Sequence, residues 1–293
     1  MNFFGGIEGG GTKVKCIIAT DPDNILVEKT FKTDAPGILL PEISKFFLEE
    51  QLKLGISIHG LGLGFFGPLD LNPKSTKFGW ITTTPKKDWE NTPLQEYFLE
   101  TLKIPVLLDT DVNAAANAER IWGSARGVDN FVYITVGTGI GGGIFVNGRP
   151  VHGMVHPEIG HFLLRQDLDI DPFLGVCPYH EGCLEGLASG PSLAARWKVD
   201  PKLLPVDHFA WDLEARYLGQ AVHTLVVTLS PEKIIMGGGV MDQPGLIEKV
   251  RIEMRKSIHG YVQSRNLEDM DSYIVKPGLG EKAGILGAVS LFY

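Results

Sequence analysis

The sequence predicts an α/β protein of two domains that begin alike, and two observations carry that expectation. Apolar, strand-like runs alternate with helix-forming stretches along the whole chain, the mark of an α/β architecture. A strand, a Thr/Gly turn and a second strand also occur at residues 3–19 and again at 131–149, where the chain reads "FVYITVGTGIGGGIFVNGR". Such a return predicts a duplicated domain, against the alternative of two unrelated glycine hairpins. The chain has 293 residues, 44% of them hydrophobic, enough for a substantial core and two domains.

The first elements are strands over 3–8, 14–19 and 25–31. Around the first turn stands "GGIEGGGTKVKCII" (5–18), whose glycines would let backbone N–H groups approach a phosphate closely. It is not a P-loop, which ends in Gly-Lys-Ser/Thr and leads into a helix. Here Thr12-Lys13 is followed by the strand-like Val14-Lys15-Cys16-Ile17-Ile18, so a phosphate turn and an ordinary hairpin both remain open. A helix is expected over 41–53, with Pro41 near its start and Ile43, Phe46 and Phe47 on one face. "HGLGLGFFGP" (59–68) reads as a buried strand ending in a Gly-Pro turn, Thr92-Pro93 as a helix opening, and "IPVLLDTD" (104–111) as another buried strand. "NAAANAERIWG" (113–123) is rich in helix formers and stops at glycine. After the second hairpin come a long helix at 207–229, a strand at 233–241, a helix near 244–258 and a last apolar helix at 281–292.

Charge and cysteine usage narrow the function. The formal net charge is −8 with no basic block, which argues against nucleic acid as a partner, since phosphate-backbone binding needs a positive face. A nucleotide needs only a few local donors. No basic region followed by a long apolar run opens the chain, and no apolar run has the length of a membrane span, so no membrane association is expected. Of the three cysteines, two sit in a metal-like cluster and Cys16 stands alone on a strand as a small core residue, a pattern that fits a reducing cytoplasm.

Two groups of residues carry chemistry. Asp111, in "DTDVNAA", lies between an apolar strand and a helix, where an α/β sheet presents its ligands. There it could act as a general base or merely cap the helix, and position alone leaves both open. Cys177, His180 and Cys183, in "CPYHEGC", offer three ligands at CxxHxxC spacing. Zinc takes four, and His161 of "HPEIGH" is the natural fourth; four protein ligands would leave no open position, making the metal structural.

In order and spacing, "GIEGGGTK", "DTDVNAAANAE", "VGTGIGGG", "HPEIGH", "CPYHEGCLEGLASG" and "IIMGGGV" resemble the motifs of the ROK sugar kinases, and within them those of the bacterial fructokinases. The resemblance spans nearly the whole chain. It implies the actin-like ATPase (ribonuclease H-like) fold, with two domains closing over sugar and ATP in a cleft. It also implies phosphoryl transfer from ATP with Mg²⁺, commonly in a homodimer, with sugar and ATP as the partners. An N-terminal domain over 1–113 would carry the first phosphate loop and the catalytic Asp. A C-terminal domain over 114–293 would carry the second loop, the zinc loop and an adenosine contact, with the last helix packing back on the first domain.

The resemblance assigns Asp111 as the base, with Asp109 secondary. It assigns Gly10, Gly11, Thr12 and Lys13 of the first turn, Thr138 and Gly139 of the second, and Gly237 and Gly238 to nucleotide binding. Sugar binding falls to Gly67, Thr110, Glu158, His161 and Glu185, and zinc to His161, Cys177, His180 and Cys183. The chain departs from the pattern at Thr110, where many ROK glucokinases have Asn, and at Glu8, where many have Asp, which leaves a link from Glu8 to Mg²⁺ open. It also supplies His180 where three cysteines are commoner, as the fructokinase-like branch does. "TPKKDW" (84–89) and "CPYHEGC" point to fructose over glucose, with mannose as a competitor. Loss of zinc is expected to damage sugar phosphorylation more than nucleotide binding, because both phosphate loops lie elsewhere in the chain. A sugar-sensing ROK repressor is the competing class; such proteins carry a helix-turn-helix domain before the first glycine loop, where this chain has four residues.

Overall fold

A computed structural model describes residues 2–84 and 86–293. The chain forms two compact units: Met1–Arg126 with Pro150–Pro157 and Gly278–Tyr293, and Gly127–Arg149 with Glu158–Pro277. The sequence-based division after Asn113 falls inside a helix, α3 (Asp111–Ile121), which tertiary contacts keep whole in the first unit.

The first unit is built on a sheet of β1 (Phe3–Gly9), β2 (Lys13–Ala19), β3 (Ile25–Lys32), β4 (Ile58–Phe65) and β5 (Val106–Thr110), in the order β3-β2-β1-β4-β5. β1, β2 and β3 pair antiparallel, and β4 and β5 extend the sheet parallel to β1. The inner strands β2, β1 and β4 are largely buried because both faces are covered, whereas the edge strand β3 is mostly exposed. One face packs against α1 (Pro36–Leu54) and α2 (Leu94–Leu102) through Ile7, Leu63, Phe46, Phe47 and Phe98. On the other, Ile17 and Ala19 meet Ala118 of α3 and Ile285, Leu286 and Val289 of the last helix. That helix lies so close to β4 that a side chain at Gly62 would put its Cβ 1.7 Å from the Ala288 carbonyl oxygen, so only glycine fits.

α1 starts five residues earlier than the sequence reading placed it, and Pro41 lies inside it. Pro36 takes the first-turn position that suits a proline, and the added turn buries Leu39 and Leu40.

The second unit repeats the strand order. β6 (Phe131–Val136), β7 (Ile140–Val146), β8 (Arg149–Pro150), β9 (Lys233–Gly237) and β10 (Ile274–Val275) run β10-β9-β6-β7-β8, with β6–β7 antiparallel and β9 and β10 parallel to β6. Its helices are α4 (Leu184–Ala188), α5 (Gly190–Trp197), α6 (Ala210–Leu229), α7 (Leu246–Ile258), α8 (Arg265–Glu268) and α9 (Met270–Tyr273). The last helix of the chain, α10 (Ala283–Ser290), belongs to the first unit. No helix among the described residues is long and apolar enough to cross a membrane.

Candidate active site and metal centre

In the first unit, strand register brings the candidate residues to one edge. Gly9 pairs with Phe65 and Phe65 with Thr110, so the first Thr/Gly turn, the Gly67 turn and Asp111 all leave the carboxyl ends of parallel strands. Within that turn the Gly10 N–H donates to the Lys13 carbonyl at 3.0 Å, while the amides of Gly11 and Thr12 have no partner among the described residues. Gly67 precedes Pro68 through a cis peptide bond.

Asp111 is not the helix cap. That position belongs to Thr110, whose Oγ1 accepts from the Asn113 N–H at 3.1 Å, leaving Asp111 as the first helical residue. The Asp111 Oδ1 accepts from the Val112 N–H at 2.9 Å. Burial pushes its carboxyl up to about 6, against that bond, and the negative charge of Glu8 adds to the rise. Glu8 itself lies 3.4 Å from the Lys15 ammonium.

Asp109, by contrast, is buried and fully engaged. It accepts from the Thr110 N–H at 2.7 Å and the Asn113 side-chain amide at 2.8 Å, and His152 Nε2 lies 3.2 Å away. Three groups already occupy the Asp109 carboxylate, whereas that of Asp111, two residues on, is open to a further partner. The Asp109 bond raises the pKa of His152. Burial lowers that of His156, which keeps the neutral ring it needs to accept the Leu69 N–H at 3.3 Å. A side chain at Gly67 would bring its Cβ to 3.1 Å from that same ring nitrogen.

Sequence reasoning missed His152, His156 and Asn113. The available signal was "VHGMVHPEIGH", with His152 four residues before His156, which itself opens the quoted "HPEIGH". Their partners lie 43 and 87 residues away, beyond the reach of any local pattern.

In the second unit the other turn follows β6. The Gly137 N–H donates to the Gly139 carbonyl at 2.9 Å, and the amides of Thr138 and Gly139 have no partner among the described residues. Gly237 ends β9, and Gly238 takes a φ of 90° against Val136, whose carbonyl accepts from Val240 at 3.0 Å. These glycines therefore sit beside the second turn. Glu158 precedes a 3₁₀ turn, Ile159–His161. The Glu185 Oε2 accepts from the Ile140 N–H at 2.9 Å, so this residue touches the second turn directly.

His161, Cys177, His180 and Cys183 converge, with one ligand atom from each lying within 4.8 Å of all the others. His161 Nδ1 is 3.6 Å from Cys183 Sγ and 3.9 Å from Cys177 Sγ, and His180 Nδ1 is 3.6 Å from Cys177 Sγ. Bonds of about 2.0–2.3 Å to a tetrahedral ion give ligand-to-ligand edges of roughly 3.4–3.8 Å, so the group fits a metal. The Gly186 N–H donates to Cys183 Sγ at 3.4 Å, supporting that sulfur from outside the ligand set.

Relatives agree along the whole chain. A fructokinase of Zymomonas mobilis is 41% identical over 290 residues, 98% of this chain and 95% of that protein. A fructokinase of Lactococcus lactis is 40% identical over 260 residues, 89% and 87%. The crystal structure of a ROK family glucokinase from Streptomyces griseus in complex with glucose and AMPPNP aligns with a TM-score of 0.75 and 25% identity, covering 99% of both chains. The fold is thus the actin-like ATPase fold expected from the sequence. The ROK family model matches residues 4–293, and the chain belongs to the ROK family.

Proposed function

We propose that this chain is an ATP-dependent hexose kinase that phosphorylates D-fructose at its 6-hydroxyl. The observation that carries the reading is Asp111: an available carboxyl, raised to about 6, at the carboxyl end of β5 in a ROK chain. At neutral pH it is largely ionised and can accept the proton of the attacking sugar hydroxyl, whose oxygen bonds to the γ-phosphorus as ADP leaves.

The amides of Gly11, Thr12, Thr138 and Gly139, which have no partner among the described residues, and the two Thr hydroxyls would receive phosphate oxygens, with Gly10 shaping the first turn and Lys13 pairing with phosphate. Gly237 and Gly238 would meet the adenosine. Mg²⁺ would neutralise charge that builds on the phosphates. Gly67, Thr110, Glu158, His161 and Glu185 would bind the sugar; the Oε1 of Glu185 has no partner among the described residues. His161, Cys177, His180 and Cys183 would hold a structural Zn²⁺, whose thiolates suit the reducing cytoplasm. A homodimer is part of the reading, from the family resemblance. Pro85 of "TPKKDW" lies outside the described residues.

The fructokinase relatives at 40% and 41% identity support fructose as the acceptor. A coupled assay with ATP–Mg²⁺ and a panel of fructose, mannose and glucose tests the proposal. Fructose should give the highest kcat/KM. Glucose outrunning fructose would overturn the acceptor, and no turnover with any hexose would return the chain to a sensor.

A further inference from the structure

The helix that opens at the metal cluster reaches the second Thr/Gly turn. Cys183, a member of the cluster, is the N-cap of α4, its sulfur accepting from the Gly186 N–H. Two residues on, Glu185 extends to the turn and accepts the Ile140 N–H at 2.9 Å, across 45 residues of sequence. The fit leaves no slack, because a side chain at Gly139 would place its Cβ 2.7 Å from the same carboxylate oxygen. At the other end of the turn, the Gly190 N–H donates to the Gly137 carbonyl at 2.8 Å. The Ser192 hydroxyl donates to the Glu185 carbonyl at 2.8 Å, joining the two gripping residues through α5. The segment running on from the cluster therefore holds both ends of the turn and leaves the two middle amides, of Thr138 and Gly139, to an incoming anion.

We propose that Glu185 is the positioning residue through which the metal-binding segment sets the second phosphate turn, so that nucleotide binding depends on the metal. The inference rests on that turn receiving phosphate, as in the function proposed above. It reverses the expectation that nucleotide binding suffers less from loss of the metal, which was drawn from distance along the chain. A carboxylate beside a phosphate site gives no charge stabilisation, so its use here is geometric: it fixes the Ile140 amide, and with it the direction of the two amides before it. Glutamine also offers an acceptor oxygen of the same reach, and alanine offers none.

The experiment is calorimetric titration of a non-hydrolysable ATP analogue with Mg²⁺, without sugar, into the full-length protein, with metal content measured on each sample. Glu185→Ala should weaken binding about five- to twentyfold, the scale of one lost hydrogen bond to a preorganised turn. Glu185→Gln should stay within about twofold of wild type. Chelated wild type should fall to the level of Glu185→Ala, and chelating Glu185→Ala should change little further, because the two act through one link. Wild-type affinity in Glu185→Ala, or equal losses on chelation with and without Glu185, would overturn the link. Thr138→Val separates the two readings. If it weakens the analogue while Glu185→Ala does not, the link alone fails. If neither weakens it, the turn is not a phosphate turn and the proposed function loses that element.

Discussion

The first and second Thr/Gly turns stand at matching places in sheets of matching strand order, yet their supports differ in kind. Around the first, neighbours give hydrogen bonds to turn carbonyls. The Thr33 N–H and hydroxyl donate to Thr12 and Gly10 at 3.1 and 2.8 Å, and the Phe66 N–H donates to Gly9 at 3.0 Å. All of these come from residues next to the sheet's own strands. The second turn has the counterpart of the Phe66 bond, from the Val240 N–H to Val136 at 3.0 Å, but is held besides by a carboxylate that accepts from it and by an amide from α5, both outside its sheet. A repeated frame fixes where a turn emerges, and whatever chain lies nearby decides what it depends on. The first turn needs only its sheet; the second needs the segment that begins at the metal cluster.

The same contrast runs through the chemistry. Where the first unit leaves β5, Asp111 offers a carboxyl that burial keeps near 6. Where the second leaves the matching strand, β10, the chain reads Lys276-Pro277 and supplies no carboxylate. Asp111→Asn should therefore have the largest effect, lowering kcat by roughly 10²–10⁴ while leaving affinity for an ATP analogue near wild type. Steady-state kinetics with calorimetry would check this, and wild-type turnover would remove Asp111 from the reaction.

The turns themselves can be set against each other. Thr12→Val and Thr138→Val each remove a hydroxyl donor at nearly constant volume, and each should raise the KM for ATP about five- to fiftyfold. Measured side by side, they report whether both copies hold phosphate. If one change leaves both KM and kcat untouched, that turn is a plain hairpin.

Much of this was legible in the sequence because its signals are local. Apolar runs located the strands of the first hairpin to within a residue and the second hairpin within 131–149, and CxxHxxC spacing with His161 identified a cluster that the fold brings together. The errors fall where a residue type has two uses. Pro41 read as a helix start but lies within α1, since Pro36 takes that place and the core needs Leu39 and Leu40. Asp111, by contrast, was read as the base with a cap as the alternative, and the cap is Thr110, one residue earlier. What no pattern could supply were contacts across long stretches of chain: His152 on Asp109, His156 on Leu69 and Glu185 on Ile140.

The pH dependence of kcat/KM tests the role of Asp111 most directly. A base must be ionised to take the hydroxyl proton, so activity should fall as pH drops through the pKa of Asp111, giving an acid limb near 6. Because Glu8 contributes to that rise, Glu8→Gln should move the limb to lower pH. An acid limb near 6 that shifts down in Glu8→Gln is the expected result. A profile flat from about pH 5 to 8, or a limb that Glu8→Gln leaves in place, would contradict Asp111 as the base whose ionisation its burial and Glu8 set.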